Sequence, residues 1–147
     1  MSKISEIEGL LKQAMRDRAE VRLATFRLVL TSLRREEKDL GRPLSNEEEL
    51  RVLQRERKQR IEAAEAFAAA DRHEQAESES TELEIIEELM PERMSEEELI
   101  ELIDIKLKEM EATSLKDIGR VMSDLMSEVA GRADGAVVSK LVRERLA

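Results

Sequence analysis

The sequence predicts an all-α protein in which an N-terminal multi-helix domain is followed by a C-terminal three-helix bundle. Of the 147 residues, 40% are charged and 41% are hydrophobic, and only two are prolines. Abundant Ala, Leu, Glu, Lys and Arg is typical of helices, because these side chains lose little freedom when a helix forms. Apolar residues also recur at steps of three and four along most of the chain, which is the helical period. With two Phe and no Trp or Tyr, the cores must be mainly aliphatic.

The first two helices are predicted from one apolar stripe each. The first runs from about residue 2 to residue 18, and its stripe consists of Ile4, Ile7, Leu11, Ala14, Met15 and Arg18. The stripe of the second consists of Leu23, Phe26, Leu30, Leu33 and Leu40. This helix is expected to end at Gly41, which suits a left-handed C-cap, and Pro43 prevents its continuation.

Capping residues delimit the third and fourth helices. Ser45 followed by Glu48 is the pattern of a capping box, so the third helix is expected to begin there. Arg57 interrupts its apolar stripe. Asp71 is the expected N-cap of a fourth helix, which ends before Pro91.

Pro91 also sets the predicted domain boundary, with an N-terminal helical domain at residues 1–92 and a C-terminal domain at residues 93–147. Ser95 and Glu98 form a second capping-box pattern, which opens a fifth helix. Short turns between the last three helices favour an antiparallel three-helix bundle.

The sixth and seventh helices complete this C-terminal domain. The sixth has the clearest amphipathic pattern, formed by Leu115, Ile118, Met122, Leu125, Met126 and Val129. Gly119 lies in this helix at a cost of about 1 kcal/mol relative to alanine, so a neighbouring backbone is expected to approach it closely. Gly131 is expected to end the sixth helix and Asp134 to cap the seventh. The seventh is expected to face Val137, Val138, Leu141, Val142 and Leu146 inward.

The charge of the chain is unevenly distributed around a net value of −9. Residues 1–60 hold 15 basic against 11 acidic side chains, residues 61–112 hold 4 against 18, and residues 113–147 hold 6 against 5. The overall negative charge disfavours indiscriminate binding to nucleic acid. Solvated helix faces explain the pattern in the simplest way. Alternatively, an acidic middle segment separates two ends that can still meet a polyanion.

No catalytic constellation is visible in the sequence. The chain has no cysteine, and its single histidine, His73, has no partner at metal-ligand spacing. The acidic clusters at 47–49 and 96–98 fall in first helical turns, where the helix dipole favours negative charge. No glycine-rich phosphate loop or nucleophile elbow occurs. We therefore expect a protein that is not an enzyme and that holds no metal and no cofactor.

A cytoplasmic location is expected, with no association with membranes. The longest apolar run, Ala66 to Ala70, is far shorter than a membrane span. The first residues carry acidic side chains and lack the apolar core of a signal peptide.

Glycine, charge and capping residues converge at one corner near the C-terminus. Gly131 and Gly135 bracket Arg132, Ala133 and Asp134. One interpretation is purely structural, with the glycines shaping the chain between two helices and Asp134 as the cap. The other is a binding edge for phosphate or sugar, formed by the backbone amides of the last helix with Arg132 and Lys140. Asp134 opposes the second interpretation, because its carboxylate competes with phosphate for the amides.

The sequence around this corner resembles the GatB/YqeY family. The similar residues are Val121-Met122, Gly131-Arg132-Ala133-Asp134-Gly135 and the closing Leu-Val helix, and the resemblance covers the whole chain. Residues 11–41 resemble the N-terminal helices of that family, with Arg22 and Arg27 at its basic positions. Lys58-Gln59-Arg60 and Leu89-Met90-Pro91-Glu92 also fit its pattern.

The resemblance implies an all-helical, two-domain protein whose tail is similar to the tail of the B subunit of the glutamine-dependent aminoacyl-tRNA amidotransferase, a carbon–nitrogen ligase. That tail touches the outer corner of tRNA. By match to the motif, Arg132 and Lys140 are implied phosphate contacts, while Gly131, Ala133 and Gly135 shape the corner. The amide-transfer chemistry belongs to other domains, which this chain lacks.

We therefore expect a non-catalytic accessory protein with weak, shape-dependent affinity for tRNA. Its phosphate contacts are expected to be Arg132, Lys140 and Arg143 in the tail and Arg22 and Arg27 in the second helix. Glu128, Ala130 and Ala136 stand at positions that are often basic in the family, which should weaken binding and flatten its salt dependence. The alternative is a protein–protein adaptor that docks on an amidotransferase or another translation-related protein through its acidic or methionine-bearing helices.

Overall fold

The computed structural model describes residues 2–147, and that part of the chain consists of seven α-helices and one short 3-10 turn, without strands. The all-α class is therefore confirmed. The elements in chain order are α1 (Lys3–Arg16), α2 (Glu20–Leu40), α3 (Asn46–Ala69), α4 (His73–Glu88), α5 (Glu96–Glu109), the 3-10 turn Leu115–Asp117, α6 (Ile118–Val129) and α7 (Gly135–Leu146). The described chain forms two compact units, one ending at Met90 and the other comprising Pro91–Ala147.

The first unit packs α1, α2, α3 and α4 around an aliphatic core. Its fully buried side chains are Ile7, Phe26, Val29, Leu33, Val52, Leu53, Ile86 and Leu89. Helices α3 and α4 pack along each other, and Arg60 of α3 ties them together by ion pairs to Glu79 and Glu82 of α4 at 3.4 and 3.2 Å.

Charged residues also contribute to this core, which the apolar pattern does not reveal. Arg57, expected only to interrupt the stripe of α3, is buried, as are two other charged residues of that helix, Glu49 and Glu56. The carboxylate of Glu49 accepts a hydrogen bond from the Lys3 backbone N–H at 2.7 Å, and that of Glu56 accepts one from the Ser32 hydroxyl at 2.5 Å. The buried carboxylates thus fasten α1 and α2 to α3 by hydrogen bonds that satisfy them.

The expected N-cap at Asp71 is wrong, because this residue belongs to the end of α3. Its φ of 58° is left-handed, and the Arg72 N–H bonds to the Phe67 carbonyl at 2.8 Å. This is the Schellman arrangement, which closes a helix with a left-handed residue just beyond its cap. Arg72 occupies the cap position of α4 without a side-chain hydrogen bond. Met15, at the end of α1, and Leu40, at the end of α2, are exposed rather than buried as expected.

The second unit packs α5, α6 and α7 around a separate aliphatic core. Its fully buried side chains include Ile103, Val121, Leu125, Val129, Val138 and Val142. Two expected core residues, Leu115 and Val137, are half exposed. Leu115 lies outward because the 3-10 turn, held by a capping box between Ser114 and Asp117, precedes the α-helix and changes its register.

The expectation of a close backbone approach to Gly119 is also wrong. This glycine lies on the exposed side of the first turn of α6, and a Cβ atom added to it would meet nothing within 4 Å. The residue therefore serves no packing purpose in this unit.

No helix within residues 2–147 is both long and apolar enough to cross a membrane. The same residues contain no group of three or more His, Asp or Glu side chains arranged to hold a metal ion. His73 is exposed in the first turn of α4, with its Nε2 3.6 Å from the Asp71 carboxylate.

Candidate nucleic-acid interface

The corner between α6 and α7 is formed by two consecutive left-handed residues. Ala130, at φ 46°, is the C-cap of α6, and Gly131, at φ 83°, follows it. The expected C-cap is therefore one residue too late, because the chain already turns at Ala130. The expected N-cap is confirmed: the Asp134 carboxylate accepts a hydrogen bond from the Ala136 N–H at 3.1 Å. Its carboxylate thus occupies part of the amide edge that could otherwise face an anion.

Arg132 connects this corner to the segment that precedes α5. Its Nε donates to the Glu92 carbonyl at 2.8 Å, and its Nη2 lies 3.5 Å from the Glu98 carboxylate. In addition, its carbonyl accepts a hydrogen bond from the Met94 N–H at 2.9 Å. The side chain still exposes 38% of its surface. Arg132 is therefore an intramolecular clasp that keeps part of its guanidinium accessible to solvent.

The contact with Glu98 also modifies the expected capping box of α5. The Ser95 hydroxyl accepts a hydrogen bond from the Glu98 N–H at 3.1 Å, which is the first half of the box. The Glu98 carboxylate contacts the Ser95 hydroxyl at 3.3 Å and the Arg132 guanidinium, so it faces the corner. The corner and the start of α5 are joined through this carboxylate.

Lys140 and Arg143 lie on the exposed surface of α7 and remain available to a ligand. Within residues 2–147, the Lys140 side chain makes no hydrogen bond or ion pair, and the only polar contact of the Arg143 side chain is to the Ser139 hydroxyl at 3.3 Å. They are three residues apart, so they share one helical face. Arg145 differs, since its Nε contacts Asp104 of α5 at 2.5 Å. The two free cations of α7 are the part of the expected tail site that faces solvent.

Glu128, one of the three residues expected from the sequence to weaken RNA binding, is engaged by a lysine from α5. Its carboxylate accepts a hydrogen bond from Lys106 Nζ at 2.9 Å, and the Lys106 side chain is almost completely buried. The hydrogen bond to Glu128 raises the pKa of Lys106 above its ordinary value, against the opposing effect of burial. Glu128 therefore helps to hold α5 against α6. Because Lys106 partly neutralises its carboxylate, its repulsion of an anionic ligand is reduced.

Replacing Glu128 with glutamine is expected to lower the pKa of Lys106 towards that of an ordinary lysine. The raised pKa means that this contact stabilises the folded state below the unfolded lysine pKa of about 10.4 and is lost as pH rises through the higher folded value. The pKa of Lys106 can be followed by NMR titration of its side-chain nitrogen. Glu144→Gln is the control, since that exposed residue of α7 does not contact Lys106. An identical Lys106 pKa in the wild type and Glu128→Gln would contradict this assignment.

Arg22 and Arg27 belong to the first unit and differ in their availability. The guanidinium of Arg22 lies 5.1 Å from the ring centroid of Phe26, and its Nη1 pairs with the Glu88 carboxylate of α4 at 2.9 Å. Arg22 thus fastens α2 to α4. Arg27 is exposed, and its side chain makes no hydrogen bond or ion pair within residues 2–147. Of this expected pair, Arg27 is the free cation.

Sequence reasoning missed a basic concavity further along α2. A shallow surface depression is lined by Thr31, Arg34, Arg35, Lys38 and Asp39. Their spacing of three and four residues places Thr31, Arg34, Arg35 and Lys38 on one face of the helix, and Arg27 lies one turn before them. The sequence does carry a signal for this surface. Counting basic residues at helical spacing along α2, as was done for its apolar residues, would have identified a row of cations on the opposite side of the helix.

The protein-family model described as "Yqey-like protein" matches residues 4–146 of this chain. The chain therefore belongs to the YqeY-like protein family. A search of curated proteins finds no match.

Proposed function

We propose that this member of the YqeY-like family is a non-catalytic, cytoplasmic accessory protein that binds tRNA weakly and by shape. In this proposal residues 93–147 act as a three-helix tail module, similar to that of the amidotransferase B subunit, behind the N-terminal helical domain at residues 1–92. The observation that carries the proposal is the pair of exposed cations on α7, Lys140 and Arg143, neither of which contacts a carboxylate within the described residues.

Unpaired cations favour a phosphate ligand for a physical reason. A cation that already has a carboxylate partner must lose that partner before it can bind phosphate, whereas Lys140 and Arg143 need lose only water. Arg132 contributes less in this view, because its Nε and one Nη are directed at Glu92 and Glu98. With no Trp or Tyr to stack on bases, affinity depends on the arrangement of phosphates, which is a feature of RNA shape.

Replacing Lys140 and Arg143 together with alanine is expected to weaken binding of folded tRNA about tenfold at low salt. The loss follows from the phosphate contacts, and the slope of log affinity against log salt should become flatter by about 1 for each cation removed. Filter binding over a series of salt concentrations measures both quantities. The matched control is Lys108→Ala with Lys116→Ala, which removes the same charge from two exposed lysines of the same unit.

An equal loss in the control would show that only net charge matters and would overturn the assignment to α7. Failure of the wild-type protein to bind tRNA at low salt would overturn the proposed function itself. Arg132→Ala is unsuitable as the main variant because it also removes an intramolecular clasp.

The second candidate function is a protein–protein adaptor. It is favoured by the helical hairpin formed by the C-terminal part of α3 and the N-terminal part of α4. No residue between positions 58 and 84 is fully buried, and these residues include eight acidic side chains. Such a surface suits a basic partner, for example an amidotransferase or another translation-related protein. A pull-down from nuclease-treated lysate distinguishes the two functions, because an adaptor keeps its partner after RNA has been destroyed.

A further inference from the structure

We infer that the exposed face of α2 between Arg27 and Lys38 is a second binding surface for the phosphate backbone of RNA. In the free protein, one of the cations on this face forms an ion pair with Glu8. This face is named the α2 ridge and consists of Arg27, Thr31, Arg34, Arg35 and Lys38. The inference rests on the proposed function for the class of ligand. It extends the phosphate contact expected at Arg27 along α2 to Thr31, Arg34, Arg35 and Lys38, which the family resemblance does not imply.

The α2 ridge is held rigidly by the opposite side of the same helix. Phe26, Val29, Leu30 and Leu33 are buried in the core of the first unit, and all five members of the ridge are exposed. From Arg27 to Lys38 the helix advances by about 16 Å at 1.5 Å per residue. The ridge is therefore a straight row of donors long enough to meet several consecutive phosphates of one strand.

Most of the positive charge on the ridge is unneutralised. Within residues 2–147, the side chains of Arg27, Arg35 and Lys38 have no hydrogen-bond or ion-pair partner. The acidic residue that lines the depression is Asp39, whose side chain likewise has no partner within the described residues. A row in which cations outnumber acids, with Thr31 as an additional hydroxyl donor, matches the charge of a nucleic-acid backbone.

The chemistry of the ridge fits RNA better than a protein or a membrane. Protein interfaces usually have a central cluster of aromatic and large apolar side chains, and the depression is lined by none. An amphipathic helix on a lipid surface buries a continuous apolar face, but the buried face of α2 is already used by the core. Three large apolar residues of α2 are partly exposed, and they are spread over the length of the helix: Val21, Leu28 and Leu40.

Arg34 shows how an anion is held on the ridge. Its Nη2 contacts a Glu8 carboxylate oxygen at 2.6 Å, and both side chains are about half exposed. An exposed ion pair of this kind contributes little to stability, so a phosphate can displace the carboxylate at small cost. In the free protein the Glu8 carboxylate thus stands where a phosphate oxygen would lie, and it competes with RNA for Arg34.

Two variants of the full chain test this inference in opposite directions. Arg35→Ala with Lys38→Ala is expected to weaken tRNA binding about tenfold and to flatten the salt slope by about 2. Its matched control is Lys58→Ala with Arg72→Ala, two exposed cations of the same unit that lie off the ridge.

Glu8→Gln is expected to strengthen binding about two- to threefold by freeing Arg34. Glu62→Gln, which changes the net charge equally at an exposed site on α3, should have no such effect.

Folding of each variant is checked by circular dichroism. If a double variant folds poorly, the increase in tRNA affinity expected for Glu8→Gln still tests the inference. Normal tRNA affinity in Arg35→Ala with Lys38→Ala, together with weakened binding in Lys140→Ala with Arg143→Ala, would overturn the α2 ridge and leave the proposed function intact. Absence of tRNA binding by every form would overturn both. Binding of inorganic phosphate at the ridge without any binding of RNA would also overturn the inference.

Discussion

Replacing Phe26 with alanine is expected to destabilise the first unit by about 3–5 kcal/mol, the usual cost of removing a buried aromatic side chain. Phe26 is completely buried in the core of the first unit, whose other buried members are aliphatic, and it is one of two phenylalanines in the chain. The variant also removes the ring over which the Arg22 guanidinium lies. The free energy of unfolding can be measured by urea titration, read from NMR signals of α2 and α3.

Phe67→Ala provides the matched control for this prediction. Phe67 lies near the end of α3 and is only partly buried, so the same deletion should cost clearly less there. Equal losses in the two variants would contradict the packing described for the first unit. A large loss at Phe26 supports the description of α2 as a helix whose position is fixed by its buried face.

Replacing Arg132 with lysine is expected to destabilise the second unit by about 1 kcal/mol, although the charge is retained. Lysine has no group equivalent to Nε, so the hydrogen bond to the Glu92 carbonyl is lost, and each such bond contributes about 0.5–1.5 kcal/mol. The loss is kept small by the partial exposure of the side chain. Urea titration read from NMR signals of α5 and α7 measures this effect.

The same variant separates the structural role of Arg132 from a role in phosphate binding. If Arg132 is chiefly a clasp, Arg132→Lys and Arg132→Ala lose similar stability, and the lysine variant keeps most of its tRNA affinity. If Arg132→Lys is as stable as the wild type while Arg132→Ala is not, only the positive charge of Arg132 contributes to stability. That result would contradict the structural role of its hydrogen bond to Glu92. For stability, the control for a general preference for arginine is Arg143→Lys, at an exposed arginine whose side chain contacts only the Ser139 hydroxyl at 3.3 Å within the described residues.

Most of the fold could be predicted from the sequence because the apolar period and the serine and aspartate caps are local signals. Helix ends without glycine were harder to predict. Arg18, Asp71 and Glu111 all adopt left-handed φ values and end α1, α3 and α5, respectively, by Schellman hydrogen bonds. Arg and Glu seldom adopt that conformation and Asp does so only occasionally, so no strong local signal in the sequence marks these helix ends. The chain accepts their strain because the carbonyls of the last turn gain hydrogen bonds.

The candidate interface was less predictable, because the availability of a cation depends on partners that are distant in sequence. Arg22 meets Glu88 across 66 residues, and Lys106 meets Glu128 across 22. No spacing rule gives these pairs, so the sequence could not separate fastened cations such as Arg22 from free ones such as Arg27 and Lys140. The α2 ridge, by contrast, lies on one helix and was available to a periodicity count of basic residues.

The central claim is that the unpaired cations of α2 and α7 bind the backbone of RNA, and amide chemical-shift mapping of the full chain with folded tRNA tests it most directly. The account predicts salt-sensitive shifts concentrated at residues 27–38 of α2 and 140–143 of α7, with little change in α4. Shifts confined to the acidic α3–α4 hairpin, or no shifts at low salt, would contradict it.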